Sequence, residues 1–152
     1  MDQQQTRAQK LARARYKEGY NCAEAVLRAF REELNLDLDD NAIKIATGFG
    51  GGFGQAGCAC GALSGAVMVL SLLQGRTSAD QSREAIYTSA REFHNIFAGH
   101  FGATCCRALN RNKYGTPEQK STCYRITGET AELLAQYLAE NRLVPDREQP
   151  RQ

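Results

Sequence analysis

The chain has 152 residues, 42% of them hydrophobic and 24% charged, which suits a single globular domain with a real core and requires neither a disordered tail nor several domains. Its net charge is only +2. The basic residues scatter, apart from Arg7, Lys10, Arg13, Arg15 and Lys17 at one end, which read as a solvated helix face and not as a nucleic-acid contact. The N-terminal MDQQQTRAQKLARARYKEGY holds no signal-peptide core, and the longest apolar segment, Ala62 to Leu73, falls short of the roughly 20 residues that cross a membrane. The expectation is a cytoplasmic protein with neither nucleic acid nor membrane as partner.

Helical periodicity dominates in chain order. Ala8, Leu11, Ala12 and Arg15 form a weak stripe that Gly19 ends. Asn21-Cys22-Ala23-Glu24 has the form of a capping box, and it predicts a second helix with Cys22, Val26, Ala29 and Phe30 inward. Asp37, Asp39 and Asp40 lack the glycine and final glutamate of a calcium loop, and they serve as capping residues before a short helix through Ile43 and Ala46.

The run TGFGGGFGQAGCACGALSG stops that helix. From about Cys60 to Leu73 the chain is apolar on every face, which predicts a helix central in the core. Gly61 and Gly65, one turn apart, would let a neighbouring backbone approach closely. Ser78 is the expected cap of a long helix with Ile86, Ala90, Phe93 and Phe97 inward and Tyr87 and Arg91 outward. Thr104 is the expected cap of a short helix through Leu109, followed by a polar loop, RNKYGTPEQKST. After Cys123, a last helix is expected from about Glu129 to Asn141, with Leu133, Leu134, Tyr137 and Leu138 inward. The expected architecture is thus an all-α bundle of five to seven helices over residues 1–143, with a glycine-rich loop before a buried central helix. The tail 144–152 is expected to be disordered, and incomplete cover of the central helix suggests a homodimer.

Two chemistries compete for the glycine run. Gly52 to Gly57 fits G-x-G-x-x-G, but that fingerprint binds a dinucleotide only after a strand within a βαβ unit, and the preceding NAIKIAT is helical. No Gly-Lys-Ser/Thr follows, so the loop is not a P-loop either. Glycines here supply tight turns of positive φ, which leaves the cysteines to be explained.

There are six cysteines: Cys22, Cys58, Cys60, Cys105, Cys106 and Cys123. In a reducing compartment they are not a disulfide framework, so metal binding or redox chemistry leads. Cys22, Cys60 and the Cys105–Cys106 pair fall at the starts of three predicted helices, where backbone N–H groups and the helix dipole favour thiolate. Several thiolates in one pocket repel one another unless a cation joins them. Packing as small hydrophobes is the alternative for any one of them. No C-x-x-C is present, and a Cys₄ site from Cys22, Cys60, one of the vicinal pair and Cys123 suits either zinc or iron–sulfur. His94 and His100 read as ordinary surface residues.

The ordered segments YNCAEAVLRAF, GFGGGFG, CGALSGAVMVL, FGATCCRAL and the late Cys123 resemble the redox-active protein family labelled by the motif C_GCAxxG_C_C. The likeness covers roughly Tyr20 to Cys123. The resemblance implies a small helical domain whose cysteines bind an iron centre, an iron–sulfur cluster. Matched motif by motif, it makes Cys22, Cys60, Cys106 and Cys123 the ligands and Cys58 and Cys105 additions. A related domain accompanies the haem-binding part of split-Soret cytochromes, but no C-x-x-C-H haem motif occurs here.

The resulting expectation is an electron-transfer or redox-sensing protein, with a redox partner protein. Gly51 and Gly52 would bring backbone N–H groups to the sulfurs, and the apolar central helix would exclude water. Two alternatives stand beside it: a metal-free thiol–disulfide protein cycling Cys58/Cys60 or Cys105/Cys106, and a structural zinc domain.

Overall fold

A computed structural model describes residues 5–145 of the chain. Among these residues there are seven α-helices, two short 3₁₀ turns and no strand, so the all-α expectation holds. The segment 146–152, most of the expected tail, lies outside the described residues.

Helix α1 (Arg7–Lys17) and helix α2 (Cys22–Glu33) meet at a turn built on Gly19, whose φ of 111° suits glycine. The capping box forms as the sequence predicts: Asn21 accepts from Glu24 N at 2.9 Å, and Glu24 accepts from Asn21 N at 3.1 Å. Cys22, Val26, Ala29 and Phe30 are all buried. Arg7–Glu33 at 2.6 Å and Arg15–Glu32 at 2.9 Å tie the two helices on their solvent side.

Asp39 caps the single turn α3 (Asp40–Ile43), accepting from Ala42 N at 2.8 Å, and a 3₁₀ turn (Lys44–Phe49) leads into the glycine loop. Helix α4 (Gly61–Gln74) crosses α2 with almost no space between the backbones. A Cβ on Gly65 would lie 2.7 Å from the carbonyl oxygen of Ala23, so the expected close approach is met by α2. Helix α5 (Glu84–Phe101), the single-turn α6 (Cys106–Asn110) and α7 (Gln119–Glu140) complete the bundle, with α7 running along α1, α2 and α4. Phe30, Phe93 and Phe97 are fully buried in the one continuous core, each worth about 1.5–3 kcal/mol of apolar burial.

Helix α4 is central but incompletely covered, as the sequence suggested: Val67 and Met68 are half-buried and Leu72 is 47% exposed. Other expectations are corrected. On α5 the buried residue between Ile86 and Phe93 is Ser89, with Ala90 partly exposed, and on α7 Leu133 is only half-buried.

Ser78 does not cap α5. Arg76 donates to the carbonyls of Ala79 and Gln81, and Gln81 accepts from Thr77 N, so the segment holds itself in a polar turn until Arg83. Helix α7 begins ten residues earlier than expected, because Pro117 stands just before the first turn, where a missing N–H costs nothing. Cys123 therefore lies within a helix and not ahead of one.

Candidate metal centre

The glycine loop is a left-handed coil. Gly51, Gly52, Phe53, Gly54 and Gln55 all have φ between 56° and 72°. Such a run costs little at glycine and about 1–2 kcal/mol at each of Phe53 and Gln55. The cost is offset by backbone bonds that close the coil on itself, Gly54 N to Gly48 O at 2.9 Å and Cys58 N to Gly52 O at 3.1 Å. Two side chains from beyond the loop clamp it. Tyr114 Oη donates to the carbonyl of Gln55, and Arg107, stacked 4.5 Å over the Tyr114 ring, donates to the carbonyl of Ala56 at 3.3 Å.

After the coil the chain makes a contact the sequence did not suggest. Ala59 and Cys105 pair as an isolated antiparallel bridge, with Cys60 N donating to Thr104 O at 2.8 Å and Cys106 N to Cys58 O at 2.6 Å. Thr104 is thus used by its carbonyl, and Cys105 takes the N-cap position of α6 in its place. This bridge sets the starts of α4 and α6 side by side. Cys60, the N-cap residue of α4, and Cys106, the first residue of α6, are both buried, while Cys58 and Cys105 are exposed.

Cys22 enters from the start of α2. Its sulfur lies where a Cβ on Gly61 would be, so the missing side chain of Gly61 is the space the thiol occupies. Backbone N–H groups of Gly51, Ala23 and Ala62 reach it. Cys123 projects from α7 and is half-buried. Of the two loop glycines expected to donate to sulfur, Gly51 does so, whereas Gly52 packs against the backbone of Cys58.

Electrostatics ties four thiols together and corrects the expected thiolate state. Burial is the largest influence on each of Cys22, Cys60, Cys106 and Cys123, and it pushes every one of them up. The backbone N–H groups at the helix starts act in the opposite direction on Cys22 and Cys60, and they lose to desolvation. Repulsion adds to burial: the charge of Cys22 raises Cys60, Cys106 and Cys123, and Cys106 raises Cys60 and Cys123. Cys123 reaches about 11. The protein without a bound cation therefore holds these groups as neutral thiols.

Three polar side chains surround this group, none of them foreseen from spacing. Asn110 Nδ2 lies 3.6 Å and Gln119 Nε2 3.7 Å from Cys106 Sγ, and Tyr16 of α1 bonds to Cys123. Burial and the neighbouring cysteines raise Tyr16 well above the ordinary phenol range. Among the described residues, no group of three or more His, Cys, Asp or Glu side chains is placed to hold a metal ion. His94 and His100 are exposed, bonded to Asn95 and Glu129.

Residues 20–137 match the family described as "Putative redox-active protein (C_GCAxxG_C_C)". The chain belongs to that family. The match spans every cysteine of this C_GCAxxG_C_C protein and runs from the start of the α2 cap into α7. It is also 28% identical over 122 residues to an "Uncharacterized protein" of Archaeoglobus fulgidus, covering 74% of this chain and 81% of that relative. No solved structure matches it. Among the described residues, no helix is long and apolar enough to cross a membrane.

Proposed function

We propose that this C_GCAxxG_C_C protein is a cytoplasmic electron carrier or redox sensor whose Cys22, Cys60, Cys106 and Cys123 hold an iron–sulfur cluster. The observation that carries the reading is that four thiols from four separate helix segments gather near enough for charge on Cys22 to raise the other three, in a chain whose family is described as redox-active. Four thiols suit the ligand set of an iron–sulfur cluster, and the redox description of the family favours that centre over a structural zinc ion, which has no redox chemistry. A bound cluster supplies a one-electron couple.

The residues of the chain have definite tasks in this reading. The four thiols lose their protons on loading, and the cation offsets the desolvation and the repulsion that otherwise keep them neutral. Gly51 N–H, with the amides of Ala23 and Ala62, donates to Cys22 and stabilises its negative charge. Cys60 and Cys106 are held together by the Ala59–Cys105 bridge. The open face of α4, with Val67, Met68 and Leu72, supports a homodimer, and six free cysteines support a reducing compartment.

Exposed Cys58, next to the Ala59–Cys105 bridge, and exposed Cys105, within it, favour a second reading as a metal-free thiol–disulfide protein. Anaerobic reconstitution with iron and sulfide, followed by metal analysis and visible spectroscopy, separates the two. A brown protein with a thiolate-to-iron band is expected, kept in the Cys58→Ser and Cys105→Ser variants and lost when any of the other four is replaced. A colourless, iron-free product that gains a disulfide on mild oxidation would replace the first reading with the second.

A further inference from the structure

Asn110, the last residue of α6, is only 3% exposed, and its two edges are in opposite states. Nδ2 donates to the carbonyl oxygen of Cys106 at 2.9 Å and faces Cys106 Sγ at 3.6 Å. Oδ1 is buried without a hydrogen-bond partner. The orientation is settled by Cys106: its carbonyl accepts and cannot donate, so the nitrogen edge must face it. An unsatisfied buried acceptor costs about 1–3 kcal/mol, a cost that an apolar side chain of similar size would avoid.

The cost is concentrated at the thiols. Gln119, from the first turn of α7, points a second carboxamide N–H at the same Cys106 sulfur, at 3.7 Å. Both amides also lower the titration of Cys123, against the rise that burial imposes on it. Two uncharged N–H donors from different helices thus meet on the Cys106 sulfur. Backbone capping of α6 alone would call for neither the contact to sulfur nor the second amide.

We infer that Asn110, assisted by Gln119, is a positioning residue of the thiol site: its Nδ2–H bond fixes Cys106 Sγ and stabilises negative charge on it. Its redox consequence rests on the iron–sulfur reading above, while the N–H to sulfur contact does not. Donors to sulfur favour the more negative, reduced state, so Asn110 raises the reduction potential of a centre held by Cys106 and Cys123. The unpartnered Oδ1 follows from keeping the donor edge on the sulfur.

The test uses Asn110→Leu and Asn110→Met, which fill the space and remove the donor without adding charge. In reconstituted protein, potentiometric titration is expected to show both variants shifted about tenfold toward the oxidised form, about 59 mV for one electron. Gln119→Leu is expected to shift it in the same direction by less. Equal potentials in wild type and both Asn110 variants would overturn the inference and leave the cluster reading intact.

If wild type takes up no iron, the cluster reading fails, and a metal-free arm still decides. Iodoacetamide labelling, followed peptide by peptide, is expected to be several-fold slower at Cys106 in both Asn110 variants, with Cys58 and Cys105 unchanged as controls. Unchanged or faster labelling of Cys106 would show that the carboxamide is only packing. Asn110→Met carries both arms if the leucine variant does not fold.

Discussion

The sulfur of Cys22 occupies the space beside the α-carbon of Gly61 that a side chain would fill, so one helix start is cut away to seat the thiol of another. The Gly61→Ala methyl would also lie 2.8 Å from the carbonyl oxygen of Phe49, with backbone on both sides unable to yield cheaply. We expect Gly61→Ala to cost about 1–3 kcal/mol in chemical denaturation and to displace Cys22, with loss of bound iron after reconstitution. Gly99→Ala is the contrast. Nothing lies within 4 Å of its Cβ position in α5, so the same change there is expected to stabilise by about 0.5–1 kcal/mol.

The left-handed coil predicts an ordering among its glycines. Gly52 has φ of 72°, and a Cβ there would be 2.5 Å from Cys58 N; Gly54 has φ of 56° and open space. Gly54→Ala is expected to cost about 1 kcal/mol from backbone strain alone. Gly52→Ala is expected to cost more and to release the loop, seen as faster amide hydrogen exchange over residues 50–58. Equal effects of the two substitutions would show that contact with Cys58 contributes nothing.

Asn21 joins the capping box to the loop. Its side chain accepts from Glu24 N and donates to Thr47 O at 2.9 Å, and it packs on Gly50. Asn21→Ala is expected to cost about 1–2 kcal/mol by thermal or urea unfolding, the upper end because two segments lose a partner. Asn21→Ser, which keeps the cap but not the reach to Thr47, is expected to recover about half of that.

The thiol shifts set a pH dependence. Cys123 titrates near 11 in the folded chain against an ordinary value of 9.0, and Cys22, Cys60 and Cys106 move the same way. Between those values the unfolded chain has released protons that the folded chain retains, so high pH favours unfolding. The stability of metal-free protein is therefore expected to be intact below about pH 9 and to fall from there through about pH 11, by on the order of 2 kcal/mol for Cys123. Urea midpoints measured across this range check it. Replacing Cys123 with alanine is expected to flatten the slope.

Much of this protein was legible in its residues. The helix count, the cap at Asn21, the inward stripe of α2 and the close approach at Gly65 follow from periodicity, hydrogen-bond chemistry and side-chain volume, all of which act within a few residues. The order of motifs from Tyr20 to Cys123 already pointed to the redox-active family. The start of α7 was hidden because Gln119 to Thr122 is polar and follows Pro117, so no apolar stripe marks it. Ser78 misled because a turn that satisfies its own donors looks like a cap.

What local pattern could not supply was decided in three dimensions. The Ala59–Cys105 bridge joins segments more than 40 residues apart, and it determines which member of each cysteine pair turns inward. The protonation of the thiols depends on how deeply four distant segments bury one another, and there desolvation outweighs the helix-start N–H groups that the sequence displays. Asn110, Gln119 and Tyr16 became part of the site for the same reason. Their positions carry no spacing rule, because a hydrogen bond to a distant sulfur is set by how helices pack and not by how residues follow one another.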